Sequence, residues 1–306
     1  MSALTQEVTT WRPPSAPLNF REMATTEPPP RDEVLPGLIA GSLGGIIATG
    51  GSRKSYFAQQ TAAAVAGGPD TLGIAPRVSG RVVLLALEDP KQIIHERNRA
   101  LARGWPAETV ELVHENLEIW PLVGAGANLL NPVFLSWLRL KIEGARLVII
   151  DTMRRIHQLD ENDNGEMSAL LAILEQFCAE LGVTIIFLHH TAKGSAPGDA
   201  QASRGASALT DNARWIIRLD NMKQEDAEKL SDRPFDGRPI GTDRASFFVQ
   251  LTHAKCNYGV APTEAFSPGA PRMPDQWFQA GTGGILAPVQ LLKAKSKNGG
   301  GNGGID

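Results

Sequence analysis

A lysine and a serine closing a glycine-containing turn are the residues of this chain best suited to chemistry. The run Ala48-Thr49-Gly50-Gly51-Ser52-Arg53-Lys54-Ser55 follows an apolar stretch, Leu43 to Ile47, and opens an Ala-rich segment, Tyr56 to Ala66. Strand, turn and helix in that order make a phosphate-binding loop. Glycines let backbone N–H groups close round a polyphosphate, and the helix N-terminus adds positive field. Lys54 meets the outer phosphates and Ser55 can ligate Mg²⁺, so the binding stretch is taken as Gly50, Gly51, Ser52, Arg53, Lys54, Ser55 and Tyr56. The pattern G-x-x-x-x-G-K-[ST] wants glycine where Ala48 and Arg53 stand. Either the backbone at Arg53 needs a positive φ, at a cost of roughly 1 kcal/mol or more, or Arg53 points outward from an intact loop. The second is expected, because the other catalytic positions are filled.

Three further polar signatures each follow a short apolar run. Glu88-Asp89 follows Val82 to Leu87, Asp151-Thr152 follows Leu147 to Ile150, and His189-His190 follows Val183 to Leu188. Singly, each has an ordinary explanation: a carboxylate after a strand often caps the next helix, and a lone histidine is usually a satisfied core or surface group. Together, at the carboxyl ends of parallel strands, they ring one phosphate-binding crevice. In phosphoryl-transfer terms Asp151 suits the Mg²⁺ shell and Glu88 suits polarisation of an attacking water. His189 or His190 suits a donor that reports the γ-phosphate.

The elements that must position these groups alternate. Helical composition appears at Lys91 to Arg103, Val133 to Glu143 and Met167 to Leu181, and a further short strand at Leu117 to Leu122. Near-continuous apolar strands separated by helices predict an α/β fold, a mostly parallel sheet buried on both faces. Ala213 to Leu219, Ser246 to His253 and Gly284 to Pro288 read as later strands, and a C-terminal antiparallel extension of the sheet is expected. Asn221 to Gly241, charged and containing Pro234 and Pro239, reads as a surface excursion, and Lys193 to Gly205 as a mobile loop. The Pro-rich residues 1–33 read as an extended, disordered arm, 34–290 as one ATPase-sized domain and 291–306 as a flexible Lys/Gly-rich tail.

With 306 residues, 42% of them hydrophobic, the chain can bury a sizeable core. A net charge of −3 excludes a globally basic nucleic-acid binder but leaves room for a local basic lining. Cys178 and Cys256 have no metal-ligand spacing and are expected as reduced thiols. No apolar run approaches a membrane span and no secretory signal is visible, so a cytoplasmic location is expected.

Seven stretches stand in order: Leu35-Pro36-Gly37-Leu38, the phosphate loop, Ala86-Leu87-Glu88-Asp89-Pro90, Ile149 to Arg155, Phe187 to Gly194, Gln201 to Trp215, and Ala254 to Gly259. Over residues 33–290 the chain thereby resembles the RecA-type ATPases of the RepA group, hexameric replicative helicases of small plasmids, and their phage relatives. The resemblance implies a RecA-like P-loop fold, a hexameric ring with ATP and Mg²⁺ between neighbours, and single-stranded DNA in the central channel. It carries phosphate and metal roles to Lys54 and Ser55, the base to Glu88, metal binding to Asp151 and γ-phosphate sensing to His190 or His189. It also places Arg214 as an arginine finger acting on the next subunit, with Arg204 as a second candidate. Lys255 is expected to reach across to phosphate or to be an exposed strand-end lysine. Lys193 and Arg204 are expected to meet the DNA backbone. Primase and initiator activities, where needed, are expected from separate proteins. Two other readings stay open: an ATP-dependent single-stranded-DNA mediator that does not unwind, and a nucleotide-gated ring with weak hydrolysis.

Overall fold

The computed structural model describes residues 16–190, 209, 211–258 and 275–295. Lys193 and Arg204 lie outside the described residues. The chain divides into two compact units, residues 1–31 and 32–306. In the first, the expected extended stretch contains a short helix, α1 (Phe20–Thr25), in the proline-free gap between Pro17 and Pro28. The Asn19 side chain accepts from the backbone N–H groups of Arg21 and Glu22 and so caps it.

The second unit is built on a nine-stranded sheet among the described residues, in the order β12-β11-β10-β8-β3-β7-β6-β4-β5. Its central strands are β3 (Leu43–Ala48), β7 (Thr184–His190), β6 (Leu147–Asp151) and β4 (Val82–Ala86), flanked by β5 (Leu117–Pro121) and β8 (Trp215–Asn221). These six pair in parallel. β10 (Phe248–Cys256), β11 (Gln276–Ala280) and β12 (Leu286–Val289) add antiparallel strands beside β8. The fold is therefore the α/β class expected, a mostly parallel sheet with a C-terminal antiparallel extension. A small hairpin, β1 (Glu33–Leu35) and β2 (Leu38–Ile39), precedes the sheet, and β9 (Leu230–Ser231) pairs with β13 (Leu292–Lys293).

Every residue of β3, β4 and β6 is buried, which is why their sequences are unbroken apolar runs rather than alternating ones. One face of the sheet packs through Ile46, Leu84, Ile149, Ile186 and Leu188 against Phe57, Ala58 and Ala62 of α2 (Lys54–Val65). The other packs through Ile47, Leu85, Ile150 and Phe187 against α5 (Pro132–Ile142) and α6 (Asn164–Leu181). Gly45 sits mid-strand in β3 because a Cβ there would lie 2.7 Å from the Phe187 ring. α3 (Lys91–Leu101) follows β4, and α4 (Ala107–Asn116) leads into β5.

The span expected as a surface excursion is partly structured, with α7 (Gln224–Lys229) and β9 inside it. Both cysteines are free, and burial pushes the Cys178 thiol up to about 12. No helix among the described residues is long and apolar enough to cross a membrane.

Candidate active site

Four strands that are neighbours in space, β3, β7, β6 and β4, end on one edge of the sheet, and each delivers a polar side chain there. The turn after β3 starts α2 directly at Lys54. Gly51 takes φ +79°, which glycine adopts freely, and the Asn221 amide at the end of β8 donates to the Gly50 carbonyl at 3.0 Å. The loop is thus tied to the strand beside it.

Arg53 departs from expectation. It occupies the left-handed region at φ +60° and ψ +28°, the conformation that the glycine of the general pattern supplies at little cost. Its side chain does not turn away from the loop. It lines a cavity of about 340 Å³ together with Thr49, Ser52, Lys54, Tyr56 and His190, its guanidinium lies 6.0 Å from the Tyr56 ring centroid, and its Nε is buried without a hydrogen-bond partner.

Lys54 is buried and faces two carboxylates, Glu88 Oε2 at 3.0 Å and Asp151 Oδ1 at 3.7 Å. Asp151 is 3% exposed; burial pushes its carboxyl up, while Lys54 and the Ser55 hydroxyl pull the other way. Its Oδ1 has no hydrogen-bond partner. A buried, unsatisfied carboxylate oxygen beside a serine hydroxyl and a lysine fits an oxygen-ligated Mg²⁺ next to a polyphosphate. The donor set therefore suits the group, with Asp151 and Ser55 as its protein partners.

Glu88 is held far below the usual carboxylate range, at about 2. His190 is the main cause; burial opposes it and Lys54 adds to it. His190 Nε2 lies 3.6 Å from Glu88 Oε2, and the Thr152 hydroxyl donates to Glu88 Oε1 at 3.5 Å. The two consecutive histidines separate: His190 is exposed at the cavity, whereas His189 is 6% exposed and brought down to about 4 by burial. His190 is thus the histidine placed at the cavity.

Arg97 is a site residue that sequence reasoning missed. From α3 it lines the cavity with its guanidinium 4.4 Å from the Tyr56 ring centroid, and Asp89 holds it through two hydrogen bonds at 2.5 and 3.1 Å. The one available signal was an arginine on the helix after Glu88-Asp89, a short way past the crevice.

Arg214 and Lys255 are not brought to this cavity. The Arg214 N–H donates to the Leu43 carbonyl, at the start of β3, whereas the phosphate loop leaves the other end of that strand. Six strand residues place the two ends about 17 Å apart. Lys255 pairs across from Ile216 near the start of β8, and its Nζ donates to the Asp211 carbonyl at 2.8 Å. Arg214, exposed, and Lys255 therefore share the sheet edge opposite the cavity.

The chain is similar to the crystal structure of the RadB recombinase, with a TM-score of 0.47 and 14% identity over 82% of this chain and 92% of that one. Residues 9–196, which carry the phosphate loop, Glu88, Asp151 and both histidines, match the model of the AAA domain, and the chain belongs to that family.

Proposed function

We propose that this chain is a ring-forming ATPase that moves on single-stranded DNA, a replicative helicase of the plasmid and phage RepA type acting in the cytoplasm. The observation that carries the reading is the division of charged groups between two sheet edges. Lys54, Glu88, Asp151 and His190 meet at one cavity, and Arg214 and Lys255 stand on the opposite edge. Arg214 stands at the end of the sheet opposite the cavity of its own copy, so it complements the cavity of another copy head to tail, the kind of contact that gives a ring when its rotation closes.

Within a site, Lys54 and the loop N–H groups hold the β- and γ-phosphates of ATP. Tyr56 and Arg97 wall the cavity on the α3 side. Ser55 and Asp151 hold Mg²⁺, which when bound neutralises charge on the phosphate oxygens. Glu88 accepts the proton of the attacking water. At about 2 it is ionised but weakly basic; when Lys54 turns from Glu88 to the γ-phosphate, one cause of that depression is removed and its basicity rises. His190 donates to the γ-phosphate, and Arg214 of a neighbouring copy stabilises the transition state.

Mass in solution tests the assembly. With a non-hydrolysable ATP analogue, a ring of about six copies is expected; a strict monomer with and without nucleotide would leave Arg214 with no site to serve. A forked-duplex displacement assay separates the motor from a mediator that loads on DNA without unwinding it. ATP turnover with and without single-stranded DNA separates both from a weakly hydrolysing ring.

A further inference from the structure

Beside the cavity, on the inner side of the β7 end, three buried polar atoms face one another without hydrogen bonds: His157 Nε2, Glu161 Oε1 and His189 Nδ1. Glu161 Oε1 is common to both contacts, 3.8 Å from His157 and 3.7 Å from His189. The Glu161 Oε2 lies 3.7 Å from Arg154 Nε, so the carboxylate is steered from the surface by one oxygen and presents the other inward. No group of three His, Cys, Asp or Glu side chains among the described residues is placed to hold a metal ion.

The tautomers follow from the neighbours. His157 Nδ1 accepts from the Leu159 N–H at 3.1 Å, so a neutral His157 carries its proton on Nε2, aimed at Glu161. His189 offers Nδ1 to the same oxygen. A movement of less than about 1 Å brings either pair to hydrogen-bond length, and leaving a buried polar group unpaired costs about 1–3 kcal/mol. Glu161 lies in the irregular segment between a 3₁₀ turn (Met153–Arg155) and α6, which can supply that movement. Successive residues of a strand point to opposite faces, so His189 and His190 share one stretch of backbone at the end of β7, and a shift of one is passed to the other.

We propose that Glu161 is a positioning residue for the nucleotide site: it accepts hydrogen bonds from His157 and His189 and thereby sets where the end of β7 places His190. The proposal rests on the ATP-hydrolysis reading for its effect on turnover, but not for its hydrogen bonds.

Side-chain ¹⁵N spectra of the full chain without nucleotide test the hydrogen bonds, with each signal identified by its loss in His157→Gln or His189→Gln. In wild type, His157 carries its proton on Nε2 and His189 on Nδ1; in Glu161→Met, which keeps the length but carries no strong acceptor, His189 shifts toward the Nε2 tautomer. Steady-state kinetics test the consequence. Glu161→Met lowers kcat for ATP about tenfold with KM within about twofold of wild type, and Glu161→Asp recovers part of the loss. An unchanged His189 tautomer in Glu161→Met overturns the proposal whatever the turnover. A changed tautomer with wild-type kcat overturns the positioning role. Wild-type protein that hydrolyses no ATP defeats the ATPase reading instead, while the tautomer comparison still decides whether Glu161 accepts from His189.

Discussion

Lys54 Nζ sits 3.0 Å from Glu88 Oε2, so the cation proposed to bind phosphate and the carboxylate proposed as base are paired with each other across the crevice. The pairing spares both groups an uncompensated buried charge. In the proposed reaction it would also couple binding to chemistry, since a γ-phosphate that takes Lys54 would release Glu88 toward water.

Arg53 holds a backbone conformation that suits glycine better. Arg53→Gly is expected to raise stability by about 1 kcal/mol, read as a higher midpoint in thermal or urea unfolding, whereas Arg53→Ala keeps the strain and gives no such gain. A glycine variant no more stable than the alanine variant would show that the left-handed loop costs nothing.

Arg214 and the cavity lie at opposite sheet edges, so a finger from the same copy is out of reach. Arg214→Ala should bind nucleotide but not hydrolyse it, and Glu88→Gln should do the same. Mixed in equal amounts, they should recover about a quarter of wild-type turnover, since half of the sites keep Glu88 and half of those face an intact Arg214. A mixture as inactive as its parts counts against the trans geometry.

Burial lowers His189 to about 4, against an ordinary value of 6.5. The unfolded chain therefore binds the extra proton between those values, and stability falls as pH drops through that window. The loss from this group is about 2 kcal/mol between pH 7 and pH 5. His157, also lowered by burial, acts in the same sense; Glu161 and Asp151, raised by burial, oppose it. His189→Asn should flatten the fall in unfolding midpoint between pH 7 and pH 5, and a variant with the wild-type slope would show that the proton goes elsewhere.

Arg97 stacks on Tyr56 at the cavity wall. Arg97→Ala is expected to raise KM for ATP about fivefold, roughly 1 kcal/mol, because the cavity wall loses its guanidinium and the ring of Tyr56 its support, with a smaller change in kcat. An unchanged KM would remove Arg97 from the site.

The parallel half of the sheet was legible because strands buried on both faces must be continuous apolar runs, as Val82–Ala86 and Leu147–Asp151 are. The helix α4 was not, because none of Ala107–Asn116 is fully buried and Val113, half-buried, is its contact with the core, which leaves a weak apolar signal. Strand β11 was missed for a related reason: of Gln276–Ala280, only Phe278 and Ala280 are buried. At the site, Lys54, Glu88, Asp151 and the pair His189-His190 were readable from their places at strand ends, but which histidine lines the cavity was not. Arg97 and Glu161 were not, since their partners Tyr56 and His189 are far away in sequence and meet them only in the fold. The outward Arg53 failed because side-chain type says little about a backbone angle that the loop imposes.

Steady-state ATP hydrolysis by the purified full chain, with Mg²⁺ and single-stranded DNA present, tests the central claim most directly when wild type and Lys54→Ala are run side by side. The account predicts Mg²⁺-dependent turnover in wild type and a loss of about a hundredfold or more in the variant. Equal turnover in the two proteins would contradict it.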